Sequence, residues 1–79
     1  MTGVQPKVVL ELTRAEALVL FEWLAKVDQA GRMPVEHPSE EQVLWRIEGQ
    51  LESALTEPFS PDYKELLTAA RKEVSGSQQ

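Results

Sequence analysis

The sequence predicts a mainly helical fold, in which one short N-terminal strand precedes three helices and pairs with the strand of a second copy. Residues 7–12 place apolar side chains at every second position, which is the repeat of a strand. Three later segments repeat apolar residues every three or four positions, which is the repeat of a helix. With 79 residues the chain has room for one small domain. We expect that domain to span residues 7–74, with disorder at 1–6 and 75–79.

The predicted strand puts Val8, Leu10 and Leu12 on one face and Lys7, Val9 and Glu11 on the other. A lone strand leaves its backbone unpaired, and an exposed apolar edge favours pairing with another strand. The simplest partner is the same strand of a second copy, related by a two-fold axis. The predicted dimer interface comprises Val8, Val9, Leu10, Leu12, Val19 and Trp23. Pairing with an extended piece at residues 33–35, or with the sheet of another protein, stays open.

The first helix is predicted to begin after Thr13 and to end near Ala30. Thr13 and Glu16 have the spacing of a capping box, and Gly31 suits a left-handed C-cap. Apolar residues occupy most of the circumference of this helix, at positions 17, 19, 20, 21, 23, 24, 27 and 30. A helix with such a wide apolar surface is covered on more than one side, so we expect it to be the central element.

Two further helices are predicted after a loop that contains Pro34 and Pro38. In the second, Ser39 is the expected N-cap, Gln42 completes another capping box, and the helix ends near Thr56. Its apolar stripe consists of Val43, Leu44, Ile47, Leu51, Ala54 and Leu55. In the third, Ser60 is the expected cap, Pro61 the first helical residue and Val74 the end. Its stripe consists of Tyr63, Leu66, Leu67, Ala70 and Val74.

The net charge of −5 is local. Residues 36–57 contain six glutamates and one arginine, and the remaining acidic and basic residues balance. This distribution argues against general nucleic-acid binding, which needs a basic patch to neutralise phosphates. It favours instead a basic protein as a partner of the second helix.

The sequence offers little material for catalysis or for a cofactor. There is no cysteine, and the single histidine, His37, lacks the further ligands that a zinc site needs. No glycine-rich phosphate loop or nucleophile motif is present. We therefore expect no enzyme activity, no metal and no cofactor. The N-terminus does not have the pattern of a signal peptide, and the longest apolar run, residues 17–21, is short, so we expect a cytoplasmic protein without membrane spans.

One surface of the second helix combines an aromatic side chain with carboxylates. Trp45 lies on the helical wheel beside Glu41, Glu48 and Glu52, with Gly49 one turn further on. A large aromatic residue next to a bare glycine offers a place for a partner's side chain, tryptophan is enriched in protein-binding hot spots, and the acids would attract a basic partner. These five residues are the predicted partner site, called here the Trp45 surface. In the alternative, Trp45 packs against a neighbouring element or the dimer mate.

Three stretches, residues 12–24, 43–51 and 57–63, together resemble a group of short bacterial proteins of unknown function. The resemblance extends over most of residues 8–74. It implies a bacterial, cytoplasmic, helical protein and assigns no activity or site residue.

These patterns predict a small non-enzymatic interaction or regulatory protein that is homodimeric and presents the Trp45 surface. An inhibitor of a basic target, such as an antitoxin, an immunity protein or a nucleic-acid mimic, is the alternative. The order strand–helix–helix is also similar to ribbon–helix–helix DNA-binding dimers. In that arrangement Lys7, Val9 and Glu11 would face the bases, and a valine and a carboxylate are poorly suited to reading them.

Overall fold

Three helices account for most of the chain in the computed structural model, which describes residues 6–76. Helix α1 spans Arg14–Gln29, α2 spans Pro38–Ala54 and α3 spans Tyr63–Gly76, with a single 3₁₀ turn at Glu57–Phe59. The prediction of a mainly helical protein with three helices is confirmed. The disorder expected at residues 1–5 and 77–79 lies outside the described residues. Ser75 and Gly76, expected in the tail, instead complete α3.

Local sequence sets both ends of α1. The Thr13 side chain accepts a hydrogen bond from the backbone of Glu16 (3.1 Å), and the Glu16 carboxylate accepts one from the Thr13 backbone (2.8 Å). The predicted capping box is therefore present. The helix ends at Gln29, and Gly31 has the positive φ of 67° that turns the chain away.

The start of α2 differs from the prediction. The cap is His37, whose Nδ1 accepts the backbone N–H of Ser39 at 3.0 Å. The prediction of Ser39 as the N-cap is wrong, because Pro38 already occupies the first helical position, where its fixed φ is favourable. The helix ends at Ala54, two residues before the predicted end.

A turn precedes α3 and delays its start. The Ser60 side chain accepts the backbone N–H of Asp62 (3.1 Å), and the Ser60 carbonyl accepts that of Tyr63 (3.1 Å). Ser60 thus caps the turn as its sequence context indicates. Pro61, expected as the first helical residue, lies in this turn instead.

Helix α1 is the centre of the fold, as predicted, because α2 and α3 each pack on it rather than on one another. Leu24 of α1 is completely buried. The buried core among the described residues comprises Ala15, Ala17, Leu18, Leu24, Leu55, Leu67 and Ala70. No residue of α2 itself is buried. The core is small, and α2 is held less firmly than α3.

Two polar contacts join distant parts of the chain. The Arg14 guanidinium, at the start of α1, makes two hydrogen bonds to the Glu57 carboxylate, at 2.8 and 2.6 Å. These bonds hold the pKa of Glu57 down at about 2. Tyr63 donates a hydrogen bond from its hydroxyl to Glu22 of α1 (2.9 Å), and partial burial together with this bond raises the pKa of Tyr63 to about 12. Both contacts fix the start of α3 and the preceding turn against α1.

The predicted N-terminal strand is not formed: residues 7–12 have no regular secondary structure. A strand requires a neighbour for its backbone hydrogen bonds, and the described part of the chain provides none. Residues 33–35 do not pair with it, because the Val35 N–H donates to the Met33 carbonyl (2.8 Å) in a tight turn. No described residue therefore pairs with residues 7–12 as a strand.

The Arg14–Glu57 pair predicts an acid-sensitive stability. We expect Glu57→Gln to lower the melting temperature at pH 7 by about 2–4 °C, the range typical of a well-oriented surface ion pair. Because the folded pKa is below the ordinary value of 4.5, this stabilisation is present above pH 4.5 and is lost as the pH falls toward 2. Thermal unfolding followed by circular dichroism at several pH values measures it. Glu73→Gln, an exposed site on α3, is the control, and an equal effect of both variants at pH 7 would contradict the prediction.

Candidate functional site

The N-terminal segment, residues 7–12, is the most exposed apolar part of the described chain. Val8 is 88% exposed, Val9 82% and Leu10 76%. Leu12, nearest to α1, is 45% exposed. No hydrogen bond joins these residues to any other described part of the chain. The segment therefore offers both apolar side chains and a free backbone to a partner.

A second uncovered apolar surface runs along α1. Leu20, Trp23 and Val27 are spaced by three and four residues and form what we call the outer face of α1. Trp23 lies about 100° around the helix from Glu22, which contacts α3, and about 140° from Asp28, which contacts α2. Its side chain is 47% exposed, while Leu20 and Val27 are half-buried. Trp23 is thus the most exposed residue of this face.

Val19, the other α1 residue predicted at the dimer interface, has a different environment from Trp23. It is half-buried and packs against the core cluster. Its partial burial leaves only part of its side chain available for an interface. The structure thus leaves Trp23, more than Val19, free for contact with a second copy.

Trp45 connects α2 to the C-terminal end of α1. Its indole Nε1 donates a hydrogen bond to Oδ1 of Asp28 at 2.9 Å. The residue remains 47% exposed, so one part of the ring packs on the protein and another part stays accessible. Gly49 is exposed, and open space surrounds the position that a β-carbon would occupy there. The accessible indole and the open glycine surface are thus both available on α2.

The apolar stripe predicted for α2 is covered only in part: Leu44, Ile47 and Leu51 are half-buried and Leu55 is buried. Val43, expected in the core, is 56% exposed, and Ala54 is exposed too. Glu48, expected at the solvent surface, is half-buried against α1. The carboxylates of the Trp45 surface therefore differ: Glu41 and Glu48 are half-buried, and only Glu52 is fully exposed.

Glu48 has an unfavourable environment when it is ionised. Its Oε1 is buried and has no hydrogen-bond partner. Burial raises the pKa of Glu48, and the nearby Asp28 carboxylate raises it further, with a smaller contribution from Glu52. Two ionised carboxylates cannot donate hydrogen bonds to each other, whereas a protonated Glu48 can donate one to Asp28. The side chains of Asp28, Trp45 and Glu48 thus form one polar contact between α1 and α2.

Asp28 is not among the residues that the sequence predicts for the site, although its position in α1 gives one indication of its role. Asp28 lies in the last turn of α1, where the negative end of the helix dipole disfavours a carboxylate. A residue placed against this preference needs a compensating donor, and the Trp45 indole supplies it. Asp28 and Trp45 are 17 positions apart in the chain, so no local sequence pattern predicts their contact.

The described residues contain no group of three or more side chains suited to holding a metal ion. In the same part of the chain, no helix combines the length and the apolar character needed to span a membrane. An open depression lies along α3 and is lined by Lys64, Thr68 and Lys72. Neither family models, nor curated proteins, nor solved structures gave a match to this chain.

The carboxyl pair at the α1–α2 contact predicts a stabilising substitution. Because the pKa of Glu48 is raised in the fold, its ionisation costs stability as the pH rises above the ordinary value of 4.5. Glu48→Gln removes that charge and keeps a donor for Asp28. We expect it to raise the free energy of unfolding at pH 7 by about 0.5 kcal/mol, a melting-temperature increase of about 2–4 °C.

The gain should disappear near pH 3, where Glu48 is protonated in both the folded and the unfolded chain. Glu52→Gln, one turn away on the exposed side of α2, is the matched control and should have a smaller effect. Thermal unfolding at a fixed protein concentration over pH 3–8 makes the comparison. A destabilised Glu48→Gln protein at pH 7 would show that the ionised side chain is favourable where it lies.

Proposed function

We propose that this protein is a small non-enzymatic interaction protein that acts as a homodimer, joined through the N-terminal segment. The observation that carries the proposal is the exposure of Val8, Val9 and Leu10, between 76% and 88%, beside a backbone without partners in the described chain. Exposed apolar edges of this kind are usually paired or covered in stable proteins.

The energetics are compatible with a dimer. Pairing two segments buries one apolar face from each chain, made of Val8, Leu10 and Leu12. Burial of an exposed side chain contributes about 1.5–3 kcal/mol, so Val8 and Leu10 of the two copies contribute roughly 6–12 kcal/mol, and Leu12, which is already partly covered, adds less. Association costs about 4–15 kcal/mol, which is of the same size. The outer face of α1 supplies further apolar surface, and Trp23 is its most exposed member.

The small core of the single chain also supports the proposal. Only seven of the described residues are buried, and three of them are alanines. A chain of 79 residues can bury only a small core, so its stability is limited. A second copy would add core residues that one copy lacks.

Analytical ultracentrifugation at 1–50 µM tests the dimer directly, and we expect twice the mass of the chain. Leu10→Ser changes the apolar face of the segment and is present twice in a dimer. We expect it to weaken association roughly 100-fold, since each 1.4 kcal/mol is a factor of ten. Val43→Ser, at an exposed apolar position on α2 outside the segment, is the control and should leave association almost unchanged. A monomeric natural chain at 50 µM would exclude the homodimer and favour pairing with the sheet of a different protein.

The Trp45 surface supports a second role, the binding of a basic partner. The specific observation is that the hydrogen bond to Asp28 fixes an indole that is 47% exposed, beside the open surface of Gly49. An arginine or lysine side chain is attracted to the face of an indole, and the excess of acidic residues at positions 36–57 adds to this attraction. Inhibition of a basic target is one form that such binding would take.

A titration with an arginine-rich peptide tests the Trp45 surface, with the indole N–H resonance of Trp45 as the readout. We expect a saturable shift that falls severalfold in affinity with Glu52→Lys, because that change reverses the exposed charge on the surface. Glu65→Lys on α3 makes the same charge change away from the site and is the control. Equal losses with both variants would indicate attraction by net charge alone.

A further inference from the structure

The N-terminal segment is complementary to itself in one antiparallel alignment. Lys7 and Glu11 lie two residues before and two residues after Val9. If two copies run antiparallel with Val9 opposite Val9, Lys7 of each copy lies opposite Glu11 of the other. In the same alignment Val8 lies opposite Leu10. Directly opposite residues point to the same face of a ribbon, so charges meet charges and apolar residues meet apolar residues.

Neighbouring alignments lose this match. A shift that places Val9 opposite Leu10 mixes the two faces, and sets Val8 against Glu11 and Lys7 against Leu12. A centre at Leu10 sets Val9 against Glu11, and a centre at Val8 sets Lys7 against Val9. Only the centre at Val9 gives each charged side chain an opposite charge.

The structure leaves both charged groups available for this pairing. Lys7 and Glu11 are exposed, and the described chain contains no ion pair of either. Pro6 precedes Lys7 in the chain and lies at the end of the paired segment. Because proline has no N–H to donate, the ladder ends at Pro6 without a broken hydrogen bond. We propose, on the basis of the homodimer proposed above, that a second copy of this chain pairs antiparallel with its two-fold axis at Val9. Two Lys7–Glu11 ion pairs then set the register.

Charge reversal tests the register. Lys7→Glu alone places two carboxylates opposite each other at both ends of the ribbon, and Glu11→Lys alone places two ammonium groups there. We expect each single variant to weaken the homodimer roughly tenfold. Mixing the two single variants should yield a heterodimer in excess of both homodimers, measured by native mass spectrometry. The double variant Lys7→Glu with Glu11→Lys should recover the dissociation constant of the natural chain.

Lys64→Glu on α3 is the control for net charge and should leave dimerisation almost unchanged. The register is wrong if the two single variants mix statistically, or if Glu11→Lys strengthens the dimer by lowering its net negative charge.

The natural chain has no cysteine, so a single introduced cysteine can be cross-linked only to the same residue of a second copy. Cross-linking at chosen positions therefore distinguishes a wrong register from the absence of a dimer. With the axis at Val9, the two copies of a Val9→Cys variant have Cα atoms about 5 Å apart, within reach of a disulfide. In a Lys7→Cys variant the two sites are about 14 Å apart, beyond that reach. We expect oxidation to cross-link the first variant and not the second. A dimeric natural chain with the reverse pattern would overturn the register and keep the homodimer, and a monomeric natural chain would overturn both.

Discussion

The fold depends on one constraint, which is that α1 must be covered on more than one side. Its buried residues Ala17, Leu18 and Leu24 cannot be enclosed by a single neighbouring helix. Helices α2 and α3 therefore lie against different sides of α1 and gain little from each other. Two helices do not enclose a third completely, and the outer face of α1 around Trp23 stays open. The exposure of Trp23 thus follows from the packing of only two helices, α2 and α3, against α1.

The two flanking helices are attached by different means. Helix α3 contributes the buried Leu67 and Ala70, and Tyr63 adds a hydrogen bond to Glu22. Helix α2 contributes no buried residue of its own, and its contact with α1 includes the polar group of Asp28, Trp45 and Glu48. Apolar burial is insensitive to pH, whereas a carboxyl pair is not. Conditions that ionise Glu48 thus act on α2 before they act on α3.

Sequence reasoning succeeded where short-range contacts decide the structure. The Thr13 capping box, the turn at Gly31 and the central position of α1 follow from residues a few positions apart or from the breadth of one helical surface. It failed at individual positions of α2, where it placed Val43 inside and Glu48 outside. The spacing of apolar residues describes one helix by itself and contains no information on hydrogen bonds to another helix. The contact of α2 with α1 also includes a hydrogen bond between Trp45 and Asp28, which belong to different helices.

The N-terminal segment shows the same limit at a longer range. Its alternating pattern is a property of six residues, but a strand exists only with a partner, and none lies within the described chain. The failure of residues 7–12 to form a strand in one copy is therefore compatible with strand formation in two. The alternating pattern of residues 7–12 and the symmetric placement of Lys7 and Glu11 about Val9 both suit a segment that pairs with itself. Pairing with an unrelated sheet would place no such symmetry on the sequence, and this difference favours a second copy as the partner.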